Sequence, residues 1–82
     1  MKTISRRKQY VEVLALHEID GTVQPKTIIL AGGASYEIDE VMRVYRPEPR
    51  LPGLRYTVRI GGRETHLFEE KGRWFVEMKE TR

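Results

Sequence analysis

The chain contains no cysteine. That excludes a disulfide framework and any thiolate metal site, and it suits a reducing cytoplasm. It has two histidines, His17 and His66, far apart in sequence. A zinc site needs three or four converging ligands, so no metal and no cofactor are expected. No apolar run is long enough for a transmembrane helix. The basic start, MKTISRRKQY, does not lead into an uncharged apolar core, because Glu12, His17 and Glu18 interrupt it. No signal peptide and no membrane partner are expected, and the expected location is cytoplasmic. There is no internal repeat, no low-complexity tract and no heptad array.

Catalytic patterns are equally scarce. Asp39-Glu40 and Glu69-Glu70 are adjacent carboxylates, and neighbours in a strand point to opposite faces. Paired-carboxylate hydrolysis needs two groups across a cleft, which neither pair supplies. Gly32-Gly33 and Gly61-Gly62 belong to no phosphate-binding motif that opens a helix. Ser5 and Ser35 have no recognisable base partner. The chain is therefore read as a non-enzyme.

What is present is a pattern of short strands. At 82 residues the chain makes one domain. Leu54, Tyr56, Val58 and Ile60 alternate with Arg55, Thr57 and Arg59, the period of a strand with one buried and one wet face. Gly61-Gly62 follows, and a two-residue type I′ hairpin needs positive φ at both positions. This loop sets Ile60 against Arg63, Arg59 against Glu64 and Tyr56 against Leu67, with opposite charges facing across the ladder.

A second turn around Glu70-Lys71-Gly72 leads into Arg73–Met78. A Lys71-Gly72 loop aligns Phe75 with Phe68 and Val76 with Leu67, whereas a loop longer by one residue flips the faces. Both registers stay open. Under the first, Arg55, Thr57, Arg59, His66, Phe68, Phe75 and Glu77 share the outer face. Trp74 is expected in the core.

Upstream, residues 1–9 are basic and aperiodic and are expected to be a disordered tail. Residues 10–80 form the domain. Tyr10–Ile19 reads as a strand, with Val11, Val13, Ala15, His17 and Ile19 on one face and Leu14 and Leu16 on the other. A helix also fits Val11, Leu14, Ala15 and Ile19, but Asp20-Gly21 between apolar runs is a hairpin signal. Thr22–Leu30 is the partner strand. Pro25 cannot donate to a ladder, so it belongs at an edge or a bulge. Ala31–Ala34 is the next turn.

Ser35–Tyr45 admits two readings. Ile38, Val41, Met42 and Tyr45 have helical spacing, and a bulge at Asp39-Glu40 makes the segment a bent strand. The bent strand is preferred, because its neighbours are strands. Arg46–Gly53 holds three prolines, Pro47, Pro49 and Pro52, which forbid a helix or a central strand. The expected fold is all-β, six antiparallel strands curled into a small SH3-like or OB-like barrel.

Several of these residues carry a resemblance. The order Pro25, an apolar run, Gly32-Gly33, Tyr36-x-Ile38-x-x-Val41, Tyr56-x-Val58, Leu67-Phe68 and Gly72-Arg73-Trp74 resembles a family of small bacterial β-domains. Some of that family's members occur beside or within genes for translesion (Y-family) DNA polymerases. The likeness spans about residues 25–78. The aromatic associated with the strand before Gly32-Gly33 is missing here, where Ile29 and Leu30 stand. The resemblance implies a bacterial, DNA-repair neighbourhood and carries no catalytic residues.

Charge supplies the functional expectation. The formal net charge is +3. Lys2, Arg6, Arg7 and Lys8 give the first ten residues +4, which leaves −1 for the rest. Between Arg43 and Arg63, six arginines face a single acid, Glu48. Arg43, Arg46, Arg50, Arg55, Arg59 and Arg63, with Phe68 and Phe75 as stacking rings, are the candidate nucleic-acid-binding residues. The expected partner is DNA or RNA, bound weakly and without sequence preference by a monomer. The alternative is a protein-interaction module that takes a peptide or partner at an edge strand.

Overall fold

The computed structural model describes residues 4–46 and 48–81. Seven strands follow one another: β1 (Ile4–His17), β2 (Val23–Ile29), β3 (Ser35–Glu37), β4 (Glu40–Tyr45), β5 (Leu54–Ile60), β6 (Arg63–Glu70) and β7 (Arg73–Thr81). All pairings are antiparallel, in the order β3-β2-β1-β7-β6-β5-β4, and the sheet curls into a half-barrel. The all-β expectation holds. The count is seven where six strands were expected, because Ser35–Tyr45 is broken in two.

The turns carry the register. Gly61 and Gly62 have φ of 57° and 81°, and Ile60 faces Arg63 as expected. Lys71 and Gly72 have φ of 53° and 83°, so the second hairpin uses the same two-residue turn. That settles the open alternative in favour of Phe68 opposite Phe75. Lys71 is a non-glycine residue in the left-handed region, a conformation that crowds its Cβ and costs about 1–2 kcal/mol. Glu69 Oε2 accepts a hydrogen bond from the Gly72 N–H at 2.8 Å and helps hold the turn. The Asp20-Gly21 hairpin also forms. Its loop closes with the Glu18 N–H donating to the Thr22 carbonyl at 2.8 Å, while Asp20 Oδ1 accepts from the Thr22 N–H at 2.9 Å.

Two bends curl the sheet. β1 pairs with β7 over Ile4–Val11 and with β2 over Glu12–His17, so one long strand passes from one ladder to the next. The basic start is therefore not a tail from Ile4 onward: Ile4–Gln9 covers the edge of β7, which would otherwise offer unpaired backbone. Residues 1–3 lie outside the described residues. The second bend lies between β3 and β4. The Ile38 N–H donates to the Lys26 carbonyl on β2, and the Asp39 N–H donates to the Arg59 carbonyl on β5, both at 2.8 Å. The chain thus leaves one edge of the sheet and joins the other within two residues. Neither a helix nor a single bulged strand forms over Ser35–Tyr45. The break falls at Ile38-Asp39, and a register shift follows between Val41 and Arg43.

Of the two places open to Pro25, an edge or a bulge, it occupies a bulge. Leu14 faces Thr27 and Ala15 faces Pro25, which leaves Lys26 unopposed. Pro25 is fully buried there, beyond the end of the β3 ladder. The core lies on the concave face. Ile28, Tyr56, Val58 and Leu67 are buried, and Val11, Val13, Leu30, Ile38, Val41, Leu54, Ile60, Trp74 and Val76 pack around them. Leu14 and Leu16 point away from this core and are exposed. Ile19, expected on the strand face shared by Val11 and Val13, lies beyond the end of β1 and is fully exposed in the turn.

Candidate functional site

The convex face carries a row of flat side chains. Registers place Tyr45 opposite Arg55, Arg55 opposite Phe68, Phe68 opposite Phe75, and Phe75 opposite Tyr10. The row therefore crosses β4, β5, β6, β7 and β1 at one level. The Arg55 guanidinium sits 4.2 Å from the Tyr45 ring centre. Phe68 and Phe75 stack at 5.1 Å with 7° between their planes. Tyr10 meets Phe75 edge-on at 5.6 Å, and Arg73 lies 4.0 Å over Tyr10. Lys8 crosses the Phe75 ring at 4.7 Å and reaches Glu70 at 3.5 Å.

These contacts bury part of a face expected to be wet. Phe75 is 3% exposed and Thr57 is 5% exposed. Phe75 is correspondingly withdrawn from any role that needs an open ring face, while Phe68 is half-buried. Arg55 is half-buried too, and its Nε is buried without a hydrogen-bond partner.

The six candidate arginines do not form one patch. Alternation along β4 and β5 puts Arg43, Arg55 and Arg59 on the convex face with Phe68 and Phe75, because Arg43 faces Thr57 in the ladder. Arg63, opposite Ile60, falls on the other face. Arg46 and Arg50 belong to the connection between β4 and β5. Arg46 donates from Nη1 to the carbonyls of Leu51 at 3.2 Å and Gly53 at 3.5 Å, folding that connection back on itself. Arg50 is exposed, and its N–H donates to Glu48 Oε1 at 3.4 Å. Arg59 faces Glu64 in the register as expected, yet the carboxylate its guanidinium reaches is Glu40 on β4, at 3.3 Å.

The four paired carboxylates are absorbed locally. Asp39 Oδ2 accepts from the Gly61 N–H at 2.9 Å, and Glu40, Glu69 and Glu70 hold the partners already named. His66 lies edge-on to Phe68 at 6.5 Å. Among the described residues, no group of three His, Asp or Glu gathers as metal ligands do. The Tyr56 hydroxyl is pushed above its usual pKa, chiefly by burial and secondarily by the nearby Glu69 carboxylate.

Two concave features were not foreseen. The first is a cleft of about 390 Å³ where β2 and β4 diverge from the Ile38-Asp39 break. Val23, Gln24 and Pro25 line one side, Val41 and Val44 the other, and Ile38 lies at its apex. β4 has β5 on one side and no strand on the other. Val44 is 46% exposed, an apolar side chain at the rim. Pro25 was the one local signal, marking a place where the β2 ladder is interrupted. The second feature is a small pocket of about 100 Å³ over Phe68, between the β4–β5 connection and β6. Its walls are Leu51, Pro52, Gly53 and Leu54, together with Glu48 and Glu70.

No family model, no curated protein and no solved structure matches this chain. Among the described residues no helix is long and apolar enough to cross a membrane.

Proposed function

We propose that this chain is a protein-binding domain, without catalysis, that takes an extended segment of a partner into the cleft between β2 and β4. One observation carries the reading: β2 and β4 flank a cleft in which Val23, Pro25, Ile38, Val41 and Val44 alternate with polar and charged residues such as Gln24, Lys26, Asp39 and Glu40, and the two strands do not pair with each other there. An extended segment entering such a gap gains main-chain hydrogen bonds from a strand edge, while alternate side chains find pockets. Val23, Val41 and Val44 supply the apolar contacts, and Pro25 on the β2 side withholds an N–H, which favours β4 as the pairing edge. In the finer classification, we assign the domain to the small barrels of the SH3-like or OB-like kind, with β3 and β4 standing where a six-stranded plan has one strand. A cytoplasmic monomer is the form assigned to it.

The test is selection of peptides from a random library on the intact chain, followed by NMR mapping of the winners. Binding should shift the amides of Gln24, Lys26 and Val41–Val44, and Val44→Glu should abolish it while leaving the spectrum folded. Winners that map elsewhere overturn the assignment.

A second reading keeps the nucleic-acid role. It is favoured by Arg43, Arg55 and Arg59 sharing the convex face with His66 and with Tyr10, which is 44% exposed. It is also where the resemblance to domains beside Y-family polymerase genes points. Phosphate contacts of this kind are sequence-independent and salt-sensitive. Titration with single-stranded and duplex DNA at low salt separates the two readings. Shifts at Arg43, Arg55 and Arg59 that vanish with added salt would favour the second.

A further inference from the structure

The pocket over Phe68 is built, not incidental. Arg46 pins the connection by donating to the Leu51 and Gly53 carbonyls, and the Leu51 N–H donates to the Glu48 carbonyl at 3.1 Å. These bonds set Leu51 and Pro52 beside the Phe68 ring, and Gly53 lies close enough to Glu70 that an added Cβ would stand 3.5 Å from its Cγ. The result is a mainly apolar slot of about 100 Å³ with Glu48 and Glu70 among its walls, each carboxylate holding one long contact, Glu48 with the Arg50 N–H at 3.4 Å and Glu70 with Lys8 at 3.5 Å. Leu51 walls this apolar space and is 61% exposed.

We infer that this pocket receives a lysine side chain of a partner protein. Four methylenes match the apolar walls, and the ammonium meets Glu48 and Glu70 at the margin. Charge complementarity argues for a cation, because an apolar slot with two carboxylate side chains among its walls repels anions and rewards a neutral guest only for its apolar part. Lysine is favoured over arginine by geometry. The two carboxylates belong to different segments, and a compact ammonium with three rotatable donors serves both, whereas a planar guanidinium is suited to one carboxylate in its own plane. The protein already contains a precedent at the margin. Lys8 lays its stem across Phe75 and brings Nζ to Glu70 at 3.5 Å, a long contact that a closer ammonium would displace. The inference rests on the reading as a protein-binding domain, but it concerns a separate surface, with its own probe and its own reporter residues.

The probe is n-butylammonium, titrated into the labelled intact chain and followed by amide shifts. The expected result is a saturable shift at Gly53, Leu54 and Phe68, with n-butanol giving none at equal concentration. Glu48→Gln and Glu70→Gln should each weaken binding about tenfold, the loss of one charge-assisted hydrogen bond. Lys8→Gln should tighten it by freeing Glu70. A spectrum that stays dispersed shows that each variant is folded. Equal shifts with n-butanol, no shift at Phe68, or tighter binding of n-propylguanidinium would overturn the assignment. Failure of the peptide selection at the β2–β4 cleft would leave these shifts in place, so the two proposals fail separately.

Discussion

Replacing Phe75 by alanine tests whether the convex face is a packing layer or an open platform. Phe75 is 3% exposed, stacked on Phe68, met by Tyr10 and crossed by Lys8. Removing a buried phenylalanine costs about 3–5 kcal/mol. That total includes two ring contacts worth about 0.5–1.5 kcal/mol each and a cation contact worth about 0.5–1 kcal/mol. A domain of this length has about 4–12 kcal/mol in all, so the substitution removes a large part of it. Urea denaturation followed by Trp74 fluorescence reads the change directly. The midpoint should fall with an unchanged slope, and the melting temperature should drop by more than about 12 °C. Phe68→Ala should cost less, because Phe68 is only half-buried. A double-mutant cycle should return about 0.5–1.5 kcal/mol of coupling between the two rings. A loss below about 1 kcal/mol for Phe75→Ala would refute the reasoning, for Phe75 would then be reachable from solvent, as a base-stacking role requires.

Four further outcomes follow from the same geometry. Leu67→Ala, at the fully buried centre of the concave core, should cost about 2–5 kcal/mol in the same urea titration. Lys71→Asn should raise stability by a few tenths to about 1 kcal/mol, because asparagine tolerates the left-handed φ of 53° better; a loss would show that the turn is held differently. Arg59→Gln should change stability by less than about 1 kcal/mol, since its pair with Glu40 is solvent-exposed, and the small effect should shrink further in high salt. Tyr56 has a folded pKa above its unfolded value of 10.0, so its contribution is complete below pH 10 and is lost as pH rises through the folded value. Unfolding free energy should decline in that alkaline range, and Tyr56→Phe should flatten the decline.

The sequence by itself determined what depends on neighbours along the chain. The alternation from Leu54 to Ile60 and the double glycine at Gly61-Gly62 are local statements, and they specify a strand, a turn and a register together. Asp20-Gly21 marks the place of a turn but not its register, because the loop is Glu18–Thr22 and sets His17 opposite Val23, and Pro25 marks an interrupted ladder through its missing N–H. The tertiary structure decided what depends on partners distant in sequence. Lys71 adopts the left-handed conformation because the two-residue turn brings Phe68 over Phe75, and the stacking offsets the local strain. Ile4–Gln9 looks like a tail when read alone, being basic and without period, and becomes strand because it covers the edge of β7. The break at Ile38-Asp39 follows from two ladders competing for one segment: β2 holds Ile38 and β5 holds Asp39. The scatter of the arginines has the same origin. A run with six arginines and one acid from Arg43 to Arg63 is divided by strand alternation and by a folded connection, which send Arg63 to one face, Arg55 to the other and Arg46 into its own loop. Local chemistry selects the element and its phase, whereas the free energy that chooses neighbours comes from burying surfaces that only the whole chain brings together.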